Sequence, residues 1–185
     1  TISISADRVL SAQFTDIMSD FSSRGPNGDS GFLKPDIGAP GSSILSATSP
    51  DGFADSRTFQ LNSGTSMASP HVAGAAAVMK QLYPDWTPVE IKTALTSTAV
   101  DGLKKEDSVT PTTPFDIGAG RLDLQRASKA GVTFDKPSFA QDPCVGECTF
   151  TRTIRNMTDK EVTWTPSLNL TDSAMTGEFN VASVT

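Results

Sequence analysis

Gly64-Thr65-Ser66-Met67-Ala68-Ser69-Pro70-His71, running on into Val72-Ala73-Gly74-Ala75-Ala76-Ala77, is the stretch that decides how this chain is read. It places Ser66 where a turn meets a long apolar helix. The first N–H groups of a helix lack intrahelical partners and carry the positive end of the helix dipole. A serine there suits a nucleophile whose reaction builds negative charge on a neighbouring oxygen. The competing reading is that Thr65 or Ser66 merely caps the helix. Capping needs one Ser or Thr before an apolar run. It does not call for Gly64 ahead of it, Met67 behind it, and Pro70-His71 in the first turns.

The string G-T-S-M-A-S-P-H-V-A-G resembles the nucleophile segment of the subtilisin-like serine proteases, the subtilases. Phe21-Ser22-Ser23-Arg24-Gly25-Pro26-Asn27 is similar to that family's F-S-S-R-G-P-N turn. Leu33-Lys34-Pro35-Asp36-Ile37-Gly38-Ala39-Pro40-Gly41 is similar to its L-K-P-D-I-x-A-P-G segment, and Ile117-Gly118-Ala119-Gly120-Arg121-Leu122 to the segment that closes its catalytic domain. These matches cover residues from about 18 to about 134. They resemble the large extracellular subtilases with added domains, the plant cucumisin-like enzymes and their bacterial relatives. The resemblance implies an α/β fold: the C-terminal half of a subtilisin-like three-layer architecture, with a parallel sheet and a buried nucleophile helix.

It also implies a serine endopeptidase that hydrolyses peptide bonds by a Ser-His-Asp mechanism, secreted and acting on protein or peptide substrates. Ser66 is the implied nucleophile. The Ser66 N–H would serve the oxyanion, with the Thr65 hydroxyl in support or, equally, in a capping role. Asn62, Ser63 and Gly64, just ahead, are placed to touch substrate on the leaving-group side, or are ordinary strand-end residues. Subtilases present Asp, His, the oxyanion Asn and Ser in that order, and only the last is found in this sequence. The single histidine, His71, follows Ser66 by five residues. That is a rotation of about 140° on a helix, so His71 cannot be its base and is expected to be packed and hydrogen-bonded under the helix. No Asp or Asn sits in a segment resembling the family's remaining site motifs. The 185 residues are therefore expected to be the C-terminal part of a larger protease, inactive alone, with the missing N-terminal part as its structural partner.

Two other classes compete. One is an idle interaction module or pseudo-protease fragment whose β region docks a partner; substituted triad positions upstream would mark it. The other is a different serine hydrolase, disfavoured because G-T-S-M-A lacks the second glycine of the G-x-S-x-G elbow. An apolar share of 37% with 19% charged residues is ordinary for a globular protein. A formal charge of −6 argues against nucleic acid or an anionic membrane as partner. No apolar run approaches the length of a membrane span. Cys144 and Cys148 lie in D-P-C-V-G-E-C. The implied secreted setting makes a local disulfide the first reading, with two free thiols as the alternative. No metal site is expected, because zinc wants four ligands and His71 is committed elsewhere. No cofactor is read here, although calcium supports many subtilases.

Along the chain, residues 2 to 6 alternate as a short strand does. Residues 22 to 31 read as surface loop. Residues 35 to 39 and 43 to 47 read as two short buried strands around a Pro40-Gly41 turn, and 59 to 63 as a strand feeding the Ser66 turn. The helix from 66 to about 83 is apolar nearly all round, which predicts burial on every side. Thr87 and Glu90 fit a capping box with Pro88 at the first helical position, opening a helix that ends near 99. A third helix is expected from about 123 to 130. Past Pro137 the alternation of residues 149 to 155 and 162 to 165 reads as β-sandwich. The expected division is therefore residues 1–134 for the protease portion and 135–185 for the start of a fibronectin-III-like domain.

Overall fold

The computed structural model describes residues 15–26, 28, 32–52, 57–141, 143–170 and 172–185. The strand expected at residues 2 to 6 lies outside them. In chain order the elements are β1 (Ile44–Ala47), a 3-10 turn (Pro50–Gly52), β2 (Phe59–Asn62), α1 (Thr65–Leu82), α2 (Pro88–Ser97), α3 (Pro114–Ile117), α4 (Leu124–Ala127), β3 (Val132–Phe134) and β4 (Ile154–Asn156).

The helices form where their start signals stand. Thr87 Oγ1 accepts from the Glu90 N–H at 3.3 Å, and the Glu90 carboxylate accepts from the Thr87 N–H at 2.7 Å. With Pro88 at the first position, this is the expected capping box. Asp123 caps α4 through the Arg126 N–H. Replacing Thr87 by alanine is expected to destabilise the protein by about 1 kcal/mol. A lower urea midpoint reads it out, and Thr87→Ser should keep most of the stability. An unchanged midpoint in Thr87→Ala would show that the cap contributes nothing.

The core sits between α1 and α2. Ala75 and Met79, one turn apart on α1, pack with Trp86, Ile91, Ala94, Leu95 and Ala127. Tyr83 stacks on Trp86 with ring centroids 4.2 Å apart and bonds the Ser128 carbonyl. At the end of α1, Lys80 donates to the carbonyls of Pro84 and Trp86. This arrangement differs from the burial expected for α1. Only Ala75 and Met79 are buried, while Ala73, Ala77, Val78 and Leu82 face outward. The physical reason is that α2 covers a single stripe of a helix that is apolar on several.

Sheet structure among the described residues is slight. β1 pairs antiparallel with β2, Ile44 opposite Asn62, and β3 with β4, Val132 opposite Asn156. Parallel pairing is confined to single bridges, Ile17 with Lys104 and Gly38 with Arg121. The first expected buried strand, residues 35 to 39, forms no strand beyond that Gly38 bridge. The second forms β1 but is largely exposed, because β2 is its one strand neighbour. Of the expected sandwich strands, residues 154 to 156 form β4, and Trp164 makes only an isolated bridge to Val184. The β3–β4 ribbon rests on α2. The Phe134 N–H donates to the buried Thr93 hydroxyl at 3.3 Å, and Glu90 is ion-paired with Arg155.

Two polar anchors hold the irregular segments. Asp116, buried at the start of α3, accepts from the Thr113 N–H and hydroxyl, binds Arg24 at 2.7 Å and faces Lys105 at 3.4 Å. Arg24 also pairs with Glu106. The second is Asp36, paired with Lys34 at 2.5 Å and with Lys92 of α2 at 2.9 Å.

Candidate active site

Ser66 is the second residue of α1 and is exposed. The residue in the N-cap position is Gly64, with no side-chain cap bond. Thr65 and Ser66 therefore do not cap the helix. Gly64 has φ 152°, a conformation that L side chains rarely adopt. Its carbonyl accepts the first two helical bonds, from the Met67 N–H at 3.0 Å and the Ala68 N–H at 3.3 Å. The Thr65 and Ser66 amides precede those bonds and keep the unpaired N–H groups of a helix start. Among the described residues no hydrogen bond engages the Ser66 hydroxyl.

The turn is held from outside the helix. The Gly64 N–H donates to the Gly41 carbonyl at 2.8 Å, and the Ser43 N–H donates to Ser63 Oγ at 2.8 Å. β2 delivers the chain to this turn, and its last residue, Asn62, is exposed, with Oδ1 accepting from Gln60 Nε2 at 2.6 Å. Asn62, Ser63 and Gly64 thus lie in sequence order along the approach to Ser66, joined to β1 and Gly41 rather than to one another.

Two proline and histidine effects shape the first turns of α1. Pro70 lies inside the helix and has no N–H to return to the Ser66 carbonyl, so that bond of the ladder is missing. His71 Nδ1 lies 2.8 Å from the Met67 carbonyl. A carbonyl only accepts, so Nδ1 carries the proton and donates. His71 is hydrogen-bonded to its own helix as expected, but it is exposed rather than packed beneath it. Its ring turns back along the helix toward a bond one turn away, which leaves it at the surface.

Met67 is half-buried beside Ser66, and its sulfur would stand 3.9 Å from a side-chain carbon placed at Gly64. Oxidation to the sulfoxide would put a bulky polar group there. Mild peroxide treatment of the complete enzyme is expected to lower activity by about tenfold, since small displacements at a reacting centre cost that much or more. Undiminished activity with Met67 oxidation confirmed by peptide mapping would refute this.

Cys144 and Cys148 are joined as a disulfide, Cα atoms 5.8 Å apart, far in sequence from Ser66. Among the described residues, no three His, Cys, Asp or Glu side chains stand close enough to hold a metal ion. No helix among them is long and apolar enough to cross a membrane.

The sequence places Gly41 only in a turn and carries no sign of its contact with Gly64. The signal for the turn is the Pro40-Gly41 dipeptide closing an apolar segment. Arg24 likewise stands in a quoted motif, but its pairing with Asp116 has no signal in the sequence.

The profile of the Subtilase family, Peptidase_S8, matches residues 4–120, more than half of the sequence. The chain belongs to that family. Subtilisin-like protease SBT3.4 of Arabidopsis thaliana is 42% identical over 126 residues, covering 64% of this subtilase chain and 16% of its own length. Subtilisin-like protease SBT1.7 of the same plant is 43% identical over 141 residues, 69% of this chain and 19% of its own. The subtilase chain thus spans between a sixth and a fifth of the length of these curated relatives. The crystal structure of fervidolysin from Fervidobacterium pennivorans, a keratinolytic enzyme related to subtilisin, aligns over 51% of this chain and 15% of that one, with 30% identity and a TM-score of 0.39.

Proposed function

We propose that this chain supplies the nucleophile of a secreted serine endopeptidase, with Ser66 as the attacking residue. The observation that carries the reading is the state of Ser66. It is exposed at the second position of α1, its hydroxyl is unbonded among the described residues, and a glycine occupies the capping position beside it. Family membership supports that role.

In the proposed reaction Ser66 Oγ attacks the peptide carbonyl while a histidine outside this sequence takes its proton. An aspartate, also outside it, orients that histidine. The carbonyl oxygen becomes negative and accepts a bond from the Ser66 N–H, one of the unpaired amides of the helix start. A second donor, an asparagine, comes from the same external segment. In subtilisin, loss of one such donor costs about 10²–10³ in rate. The tetrahedral adduct then collapses. The proton passes from the histidine to the leaving amine, and an acyl ester remains on Ser66. Water, deprotonated by the same histidine, hydrolyses that ester and restores the hydroxyl.

On this reading residues 1–134 belong to the catalytic domain and 135–185 begin a fibronectin-III-like domain. The chain is inactive without its N-terminal complement. Secretion agrees with the Cys144–Cys148 disulfide, a bond that persists in oxidising compartments. Substrates are protein or peptide, with Asn62, Ser63 and Gly64 along the leaving-group side.

The test is reaction of the complete protease with a fluorophosphonate, followed by peptide mapping. Label on Ser66 supports the proposal. A fully active enzyme with label elsewhere, or none, overturns it.

A further inference from the structure

We infer that Gly41 is a positioning residue for the Ser66 turn, and that residues 36–41 act as a strut transmitting that position from α2. The inference rests on the proposed role of Ser66. One end of the strut is fixed twice. The Asp36 side chain is paired with Lys92 of α2, and the backbone is stitched to the segment after α3. The Ala119 N–H donates to the Asp36 carbonyl at 3.0 Å, the Gly38 N–H to the Gly120 carbonyl at 2.8 Å, and the Leu122 N–H to the Gly38 carbonyl at 2.8 Å.

The other end meets the nucleophile turn. The Gly41 carbonyl accepts from the Gly64 N–H at 2.8 Å, and the approach is too close for any side chain. A Cβ on Gly41 would lie 2.9 Å from the Gly64 carbonyl oxygen and 3.3 Å from Ala68 Cβ. That carbonyl is the acceptor of the first two helical bonds of α1. Ser66 lies between the residue that holds the carbonyl and the two that bind it. Displacing the carbonyl must therefore turn the Ser66 hydroxyl and N–H together. The contact is backbone on backbone, which no change of rotamer can relieve.

The expected effect is on the chemical step. Misplacing a reacting group by about 1 Å costs on the order of 10²-fold. Gly41→Ala in the complete protease should lower kcat by about that factor, with KM changed little, and should slow fluorophosphonate labelling of Ser66 in parallel. Lys92→Met cuts the tie between the strut and α2 while Asp36 keeps Lys34 as its partner. It should fold and lower kcat several-fold. Gly74→Ala, on the same helix with nothing within 4 Å of the added carbon, should leave kcat unchanged.

Wild-type kcat in a folded Gly41→Ala enzyme overturns the inference. If Gly41→Ala does not fold, wild-type kcat in Lys92→Met overturns it instead. A rise in KM with kcat unchanged also overturns it, since that marks substrate binding rather than positioning. Ser66→Ala separates the two readings: if it stays active, the assignment of Ser66 itself has failed. If it is inactive while the Gly41 and Lys92 variants keep full kcat, only the strut has failed.

Discussion

Ser66→Ala in the complete protease is expected to abolish peptide-bond hydrolysis and leave the fold intact. The side chain is exposed and makes no hydrogen bond among the described residues, so no packing or cap is lost. Alanine is also a better helix former than serine at an unengaged position. What disappears is the hydroxyl proposed to make the attack. In subtilisin, removing the nucleophile costs about 10⁶-fold in kcat, a value belonging to that relative and taken here as the scale. The residual rate would reflect the oxyanion donors and substrate binding alone. Hydrolysis within tenfold of wild type, with an unchanged melting temperature, would show that another residue performs the attack.

Asp116→Ala is expected to destabilise the protein by about 2–3 kcal/mol, because removing one member of a buried charged cluster strands its partners. Arg24 and Lys105 lose their shared carboxylate, and the Thr113 N–H and hydroxyl lose their acceptor at the start of α3. Burial alone would raise the Asp116 pKa. The opposing hydrogen bonds, from Thr113 first and then Arg24 and Lys105, outweigh it and hold the carboxyl well below the ordinary carboxylate range. A pKa lowered by folding means that the unfolded chain binds the proton more readily. The stabilisation is therefore complete above the unfolded value of about 3.9 and is lost progressively as the pH falls below it. Urea midpoints of the wild type and of Asp116→Asn, compared at neutral pH and below pH 4, measure this. The gap between them should narrow in acid. A constant gap would show that the Asp116 charge contributes nothing.

The candidate site was legible in the sequence because its signals are local. Gly64 before the serine, Pro70-His71 after it and an apolar run of helical length act within a few residues, so they specify a turn, a helix start and a serine at their junction without help from the rest of the chain. Thr87, Pro88 and Glu90 fixed the start of α2 for the same reason. Burial was not legible. The composition of α1 permits contact on several faces, but which face is covered depends on what else is present, and here α2 covers only the stripe of Ala75 and Met79.

Gly41 shows the same division at the level of one residue. Its sequence setting gives a turn. Its contact with Gly64 joins residues 23 positions apart, and no local pattern encodes that distance. Asp116 and Arg24 meet across a still longer separation. By itself the sequence determined the family, the candidate nucleophile, the cap of α2 and the absence of a usable base in His71, since each follows from motif, residue chemistry or helical spacing. Only the tertiary structure decided that Gly64 rather than Thr65 or Ser66 holds the capping position, that His71 lies on the surface, and that the Ser66 turn is braced by residues 36–41. Those outcomes depend on backbone atoms brought together by folding, and side-chain identities do not record them.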